Sequence, residues 1–285
     1  MVKSVASRRE MLAGLAGAAF GSGRILKAAT SGQRSLVCIR LVSDTGLAAL
    51  ASARSQQKIS LHPALSEVRG LFERGSLALV EETAGAGAEF DYVPDGFSGP
   101  AWLLKAAGAS VTSPEHAFGF RSGLLMLAPE ETVPGARLNN PQLLAQANRG
   151  NFAFPDTAIG RQLRQAAGLI ASGGTRHFVA SLGATLTVGD AAGQAAERLR
   201  QLSAALAAFE EAVRAAGAAS NVAVFTEPDL LASSGRRLRL VMGGSVVGGQ
   251  LYTLNRGEVE GALAEWAGLA SLLALPSASG ARFLY

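Results

Sequence analysis

Residues 176–251 read RHFVASLGATLTVGDAAGQAAERLRQLSAALAAFEEAVRAAGAASNVAVFTEPDLLASSGRRLRLVMGGSVVGGQL, and their order of patterns decides the fold. HFVASL is a short apolar run with the length of a buried strand. Behind it, Leu199, Leu202, Leu206, Phe209, Val213 and Ala216 recur at steps of three and four, which makes one continuous apolar stripe on a long helix. NVAVFTE and LRLVM follow as further strands, separated by the polar loop TEPDLLASSG. Strand, helix, strand in this order predicts a parallel pair joined by a crossover helix.

The same alternation extends to both sides. SLVCIRL, residues 35–41, is a buried first strand that ends in the polar turn Ser43-Asp44-Thr45-Gly46. Leu61, Leu65, Val68 and Phe72 place a helix over LHPALSEVRGLFERG, closed by Gly75, and SLALVEET is the strand after it. Ile159, Leu163, Ala166 and Ile170 mark a second amphipathic helix, and Val259, Leu263 and Trp266 lie on one face of a last one. Residues 84–155 are rich in glycine and proline and predict a long excursion with short helices and a strand pair. The expectation is an α/β fold with a mainly parallel sheet covered on both faces.

Charge and composition narrow the function. The formal charge is +4, but Lys3, Arg8, Arg9, Arg24, Lys27 and Arg34 against Glu10 give the first 34 residues +5. The remaining 20 basic and 21 acidic residues nearly cancel, so the body of the protein offers no basic surface for nucleic acid. Cys38 is the sole cysteine, which excludes an intramolecular disulfide and a thiolate cluster; within SLVCIRL it reads as a buried, inert thiol. His62, His116 and His177 are few for a metal hydrolase. His62, just before Pro63, is expected to bond the local backbone, and His116 to pack near the surface.

Residues 1–34 read as an export leader, the alternative being a disordered basic arm on a cytoplasmic protein. SRREML is followed by the small, apolar run LAGLAGAAFGSG, far short of the roughly 18 residues that span a bilayer. Paired Arg8 and Arg9 after Ser7 look like a twin-arginine export signal, without a clean cleavage site. No transmembrane segment is expected, and residues 35–285 are read as one domain.

Candidate chemistry gathers at the strand ends, where open α/β sheets bind ligands. Asp44 follows the first strand, as a metal ligand or as the cap of an alanine-rich helix. Glu227 and Asp229 follow NVAVF, as paired carboxylates for metal or acid–base work or as a solvated loop. Asp190 has the setting of an ordinary helix cap. No G-x-x-x-x-G-K loop and no G-x-S-x-G elbow occur, and the glycines from Gly243 to Gly249 read as a turn between strands that needs unusual dihedrals.

SRREML, SLVCIRL, LHPALSEVRGLFERGSLALVEE, DGFSGPAWLLKAAG, FRSGL, FPDTAIGRQLRQAAGLI, QLSAALAAFEEAV, NVAVFTEPD, LVMGGSVVGGQLY and AEWAGL together resemble the bacterial secreted family catalogued as domain of unknown function 1501. That family is itself similar to the alkaline phosphatase and sulfatase superfamily. The resemblance implies a three-layer, alkaline-phosphatase-like sandwich and a periplasmic or secreted location. It also exposes departures. Where the family shows Gly-Phe-Asp-Thr-His, this chain has Ala184-Thr185-Leu186-Thr187-Val188, so Leu186 and Val188 replace an Asp and a His. Thr226, Glu227 and Asp229 match the next motif, but Pro228, Leu230, Leu231 and Ala232 replace the rest. The Asp-His and Trp-Gly segment expected before LVMGG is reduced to Ser234-Gly235-Arg236-Arg237.

These losses imply a degenerate member, with Asp44, Glu227 and Asp229 as the remnant of a metal site and no cofactor retained. The expected role is non-catalytic, as a binding or assembly partner of an unidentified protein. The alternative is a divalent-metal-dependent phosphate- or sulfate-ester hydrolase with a rearranged site, drawing on Asp44, Asp190, Glu227, Asp229 and His177.

Overall fold

The computed structural model describes residues 34–41, 51–55, 58–83, 102–103, 124–127, 152–171, 177–182, 192–228 and 237–267. In chain order the elements are β1 (Ser35–Leu41), β2 (Ala51–Ser55), β3 (Lys58–Leu61), α1 (Ser66–Glu73), β4 (Leu77–Thr83), β5 (Leu124–Met126), α2 (Ala158–Ala171), β6 (His177–Leu182), α3 (Ala192–Ala215), β7 (Val222–Pro228), β8 (Arg237–Gly243), β9 (Leu251–Asn255) and α4 (Arg256–Trp266). The protein is mixed α/β, and its main sheet has the order β5-β6-β1-β7-β8-β4-β9. Parallel pairs dominate, as the alternation of strands and helices predicts.

β1 lies inside this sheet, parallel to β6 on one side and to β7 on the other. A strand with neighbours on both edges and packing on both faces must be apolar throughout, which is what SLVCIRL supplies: Leu36, Val37, Cys38 and Ile39 have no exposure. The crossover from β6 through α3 to β7 spans β1. β8 alone runs against its neighbours, pairing antiparallel with both β7 and β4. Its link to β7 is short, and a short link joins antiparallel strands, whereas a parallel return needs a crossover.

One face of the sheet carries the helical core. Val37 and Ile39 of β1, Leu79 of β4, Phe178 of β6 and Leu240 of β8 meet α1, α2 and α3, with α3 packed between the other two helices. The predicted stripe on α3 is buried: Leu202 and Phe209 at 0% exposure, Leu206 at 1%. Each such side chain contributes roughly 1.5–3 kcal/mol relative to exposure. The N-terminus of α1 has no cap from its own sequence. Instead Ser203 of α3 accepts from the backbone N–H groups of Glu67 (3.1 Å) and Val68 (3.0 Å), satisfying two of the donors a helix start leaves open.

The alternate residues of the strands form the second face. Trp102 stacks on Phe225 with ring centroids 5.9 Å apart, and α4 packs Val259 and Leu263 inside. Arg34 lies over the Trp266 ring at 5.3 Å and donates to the Trp266 carbonyl, tying the residue before β1 to the end of α4. The start of α4 is set by a capping box. Asn255 Oδ1 accepts from Glu258 N (3.0 Å), and Glu258 Oε2 accepts from Asn255 N (2.8 Å).

Three expectations are corrected or refined in detail. The alanine-rich stretch after Asp44 is not helical at residues 51–55, which form β2 and pair with β3 in a separate two-stranded sheet. Ala51-Ser52-Ala53-Arg54 alternates with a period of two, and the hairpin partner outweighs the helix preference of alanine. Within the predicted excursion, Leu124–Met126 form β5, which joins the main sheet beside β6, and the rest of the strand pair expected there lies outside the described residues. The glycine turn after β8 has one unusual dihedral, at Gly249 (φ 73°), whereas Gly243 is required by space: a Cβ there would stand 2.2 Å from the Val222 carbonyl oxygen.

Candidate functional site

Every strand of the main sheet except β8 points the same way, so one edge collects the carboxyl ends of β1, β4 and β7. Arg40, Glu82 and Glu227 are each the penultimate residue of their strands. Because β8 is antiparallel, its beginning lies at the same edge and brings Arg239 there. The pleat puts Glu82, Glu227 and Arg239 on the second face, away from the helical core. The capping box at Asn255 starts α4 directly after β9, and its first turn adds Arg256 and Glu260.

These side chains form one connected charge cluster. Arg239, with 0% exposure, donates through Nη1 to Glu227 Oε2 and through Nη2 to Glu227 Oε1 (3.3 Å). Its Nε faces Glu82 Oε1 at 2.5 Å. Arg256 Nη2 stands 3.6 Å from Glu227 Oε1, while its Nε donates to Glu260 Oε1 at 2.7 Å. Beside them, Thr226 Oγ1 accepts from Leu240 N (2.9 Å), so the residue before Glu227 locks β7 to β8. The two guanidinium groups thus bind three buried carboxylates from β4, β7 and α4.

Burial acts on each charge and the partners answer it. Desolvation pushes the Glu227 carboxyl up from its ordinary range against the opposing pull of Arg239 and Arg256. For Arg239 the carboxylates of Glu227 and Glu82 outweigh desolvation and hold the guanidinium charged. Cys38, one pleat position along β1 on the same face, has its thiol pushed well up by burial and by the nearby Glu227 carboxylate. A thiol so placed is a poor nucleophile, in line with its expected inertness.

The arrangement has a definite chemical character. Both oxygens of Glu227 face guanidinium donors, which leaves the carboxylate fewer open lone-pair directions for a substrate or an ion. Among the described residues, no group of three or more His, Cys, Asp or Glu converges to hold a metal ion. A cavity of about 30 Å³ at the opposite edge, between Phe209, Glu210 and Gly243, has room for a water or two.

Of the residues named from sequence, Glu227 is at the centre of the cluster. Asp44, Asp190, Asp229 and His116 lie outside the described residues. His177 opens β6, level with Leu36 of β1, whereas Glu227 is level with Arg40. Four strand residues separate the two levels, roughly 13 Å along the sheet, so the fold places His177 at the other edge. His62 is as expected, its Nδ1 accepting from Ala64 N at 3.1 Å. Arg239, Glu82, Arg256 and Glu260 were not singled out by sequence. Their signals were present: Arg239 interrupts the apolar alternation of RLRLVM at a position that faces inward, and Asn255-Arg256-Gly257-Glu258 carries the N-x-x-E pattern of a helix start.

Set against protein-family models and curated proteins, the chain matches no family model and no curated sequence.

Proposed function

We propose that the chain is an exported, non-catalytic protein with the three-layer sandwich of the alkaline phosphatase and sulfatase superfamily, acting as a binding or assembly partner of another protein. Residues 1–34 are its twin-arginine leader and residues 35–285 the domain delivered to the periplasm or beyond. The observation that supports this reading best is the occupation of Glu227. It is the acid at the end of β7 where a hydrolase of this architecture would use a ligand or base, and Arg239 and Arg256 engage it instead. A positioned general base contributes about 10²- to 10⁴-fold in rate. Leu186 and Val188, in place of the acid and imidazole of the resembled family, support the same reading.

The test pairs metal analysis of the purified protein with phosphate- and sulfate-ester assays. The expected result is no stoichiometric metal and no turnover above a no-protein control. Stoichiometric zinc, calcium or manganese accompanied by ester hydrolysis would overturn the reading in favour of the rearranged metal hydrolase. Pull-down from a periplasmic fraction should then recover a defined protein partner, and replacing Arg8 and Arg9 by Lys should hold the chain in the cytoplasm.

A further inference from the structure

Arg239 is a fully buried cation seated between carboxylates of two other strands. Its guanidinium presents two edges. The Nη1 and Nη2 end meets both oxygens of Glu227, and the Nε side meets Glu82. Carboxylates this close and this buried repel one another unless a cation stands between them. A planar fork of donors suits the arrangement, because it can serve two acceptors in different directions at once, which a point charge on a flexible stem does not. The acceptors come from β4 and β7 and the donor from β8, so the walls are set by the sheet and not by the arginine's own segment.

We infer that Glu82 and Glu227 form a guanidinium-shaped cation site whose resident occupant is the Arg239 side chain, and that shortening this side chain opens a site selective for a free guanidinium group. In the native protein Arg239 does for the sheet edge what a bound ion does elsewhere: it joins three strands through one centre of positive charge. The inference shares Glu227 with the non-catalytic reading but stands whether or not the protein hydrolyses an ester.

The test is chemical rescue of Arg239→Ala. Thermal unfolding is followed with methylguanidinium chloride at low millimolar concentration, with sodium chloride at matched ionic strength, and with calcium chloride. The expected result is a lowered Tm in the variant that methylguanidinium raises by several degrees in a saturable way, with no rise in the native protein and none in R239A/E227Q. A rise no larger than the sodium chloride control, or an equal rise with calcium, would overturn the inference. If Arg239→Ala does not accumulate as folded protein, the double variants R239A/E82Q and R239A/E227Q decide. Removing one wall of an emptied anionic site should recover folded protein, and doubles that fare no better than the single variant overturn the inference.

Discussion

Ser203 and Glu67 are 136 residues apart in the chain, yet the Ser203 hydroxyl accepts from the Glu67 backbone N–H at 3.1 Å and donates to its carboxylate Oε2 at 2.7 Å. One side chain of α3 therefore does the work of an N-cap for α1. Ser203→Ala should lower stability by about 1 kcal/mol, within the range for losing a helix cap, read as a fall in Tm with the fold retained by circular dichroism.

The same contact has a pH signature. The Ser203 hydrogen bond holds the Glu67 carboxyl below its usual 4.5. A group lowered in the folded state adds stability above the unfolded value and loses it as pH falls through the folded one. The native protein should thus lose more stability than Ser203→Ala on acidification below about pH 4.5, and the two melting curves should converge. Parallel curves down to acid would remove Glu67 from this role.

For the buried cluster, breaking and replacing should differ in sign. Glu227→Gln leaves Arg239 with a weakened partner in a dry site, which costs about 3–5 kcal/mol when a buried pair is broken. Replacing Glu82, Glu227 and Arg239 together by Gln, Leu and Met should cost much less than the single change, because no buried charge is then left alone. Chemical denaturation of the two variants checks this, and equal losses would show that the packing, and not the charge, carries the energy.

Gly243→Ala should be among the most damaging small substitutions. The added Cβ meets the Val222 carbonyl oxygen at 2.2 Å, an atom held by the strand itself. Overpacking of this kind costs about 1–3 kcal/mol. The fall in Tm should exceed that of Gly70→Ala, where the nearest atom is 3.5 Å away at the flexible end of Arg74.

Cys38 should react with a thiol reagent only as fast as the protein unfolds. It has no exposure, and burial pushes its thiol well above the ordinary range. Labelling between pH 7 and 9 should stay slow in the native protein and become complete in denaturant. Fast stoichiometric labelling of the folded state would contradict the buried placement.

Much of the framework was legible because burial imposes a period. The stripe from Leu199 to Val213 and the unbroken apolar run of β1 each answer to one packing surface, and each formed where its pattern lies. Glu227 was legible as a strand-end acid. Its partners were not, since pairing with Arg239 depends on β8 lying antiparallel between β7 and β4, a choice of neighbours that no local pattern encodes. Ser203 was hidden for the same reason. A serine within a helix looks neutral until the end of another helix is laid against it.

The interior position of β1 also sets an order of events. Cys38 is paired with Val179 and Phe225, which follow it by 141 and 187 residues. Contacts so distant in sequence are reached late and slow the search for the native state. Of the described strands, the first to be synthesised is therefore among the last to be enclosed. Until β7 has been synthesised, SLVCIRL is an apolar ribbon with an open edge, and that interval is when this strand most needs a chaperone.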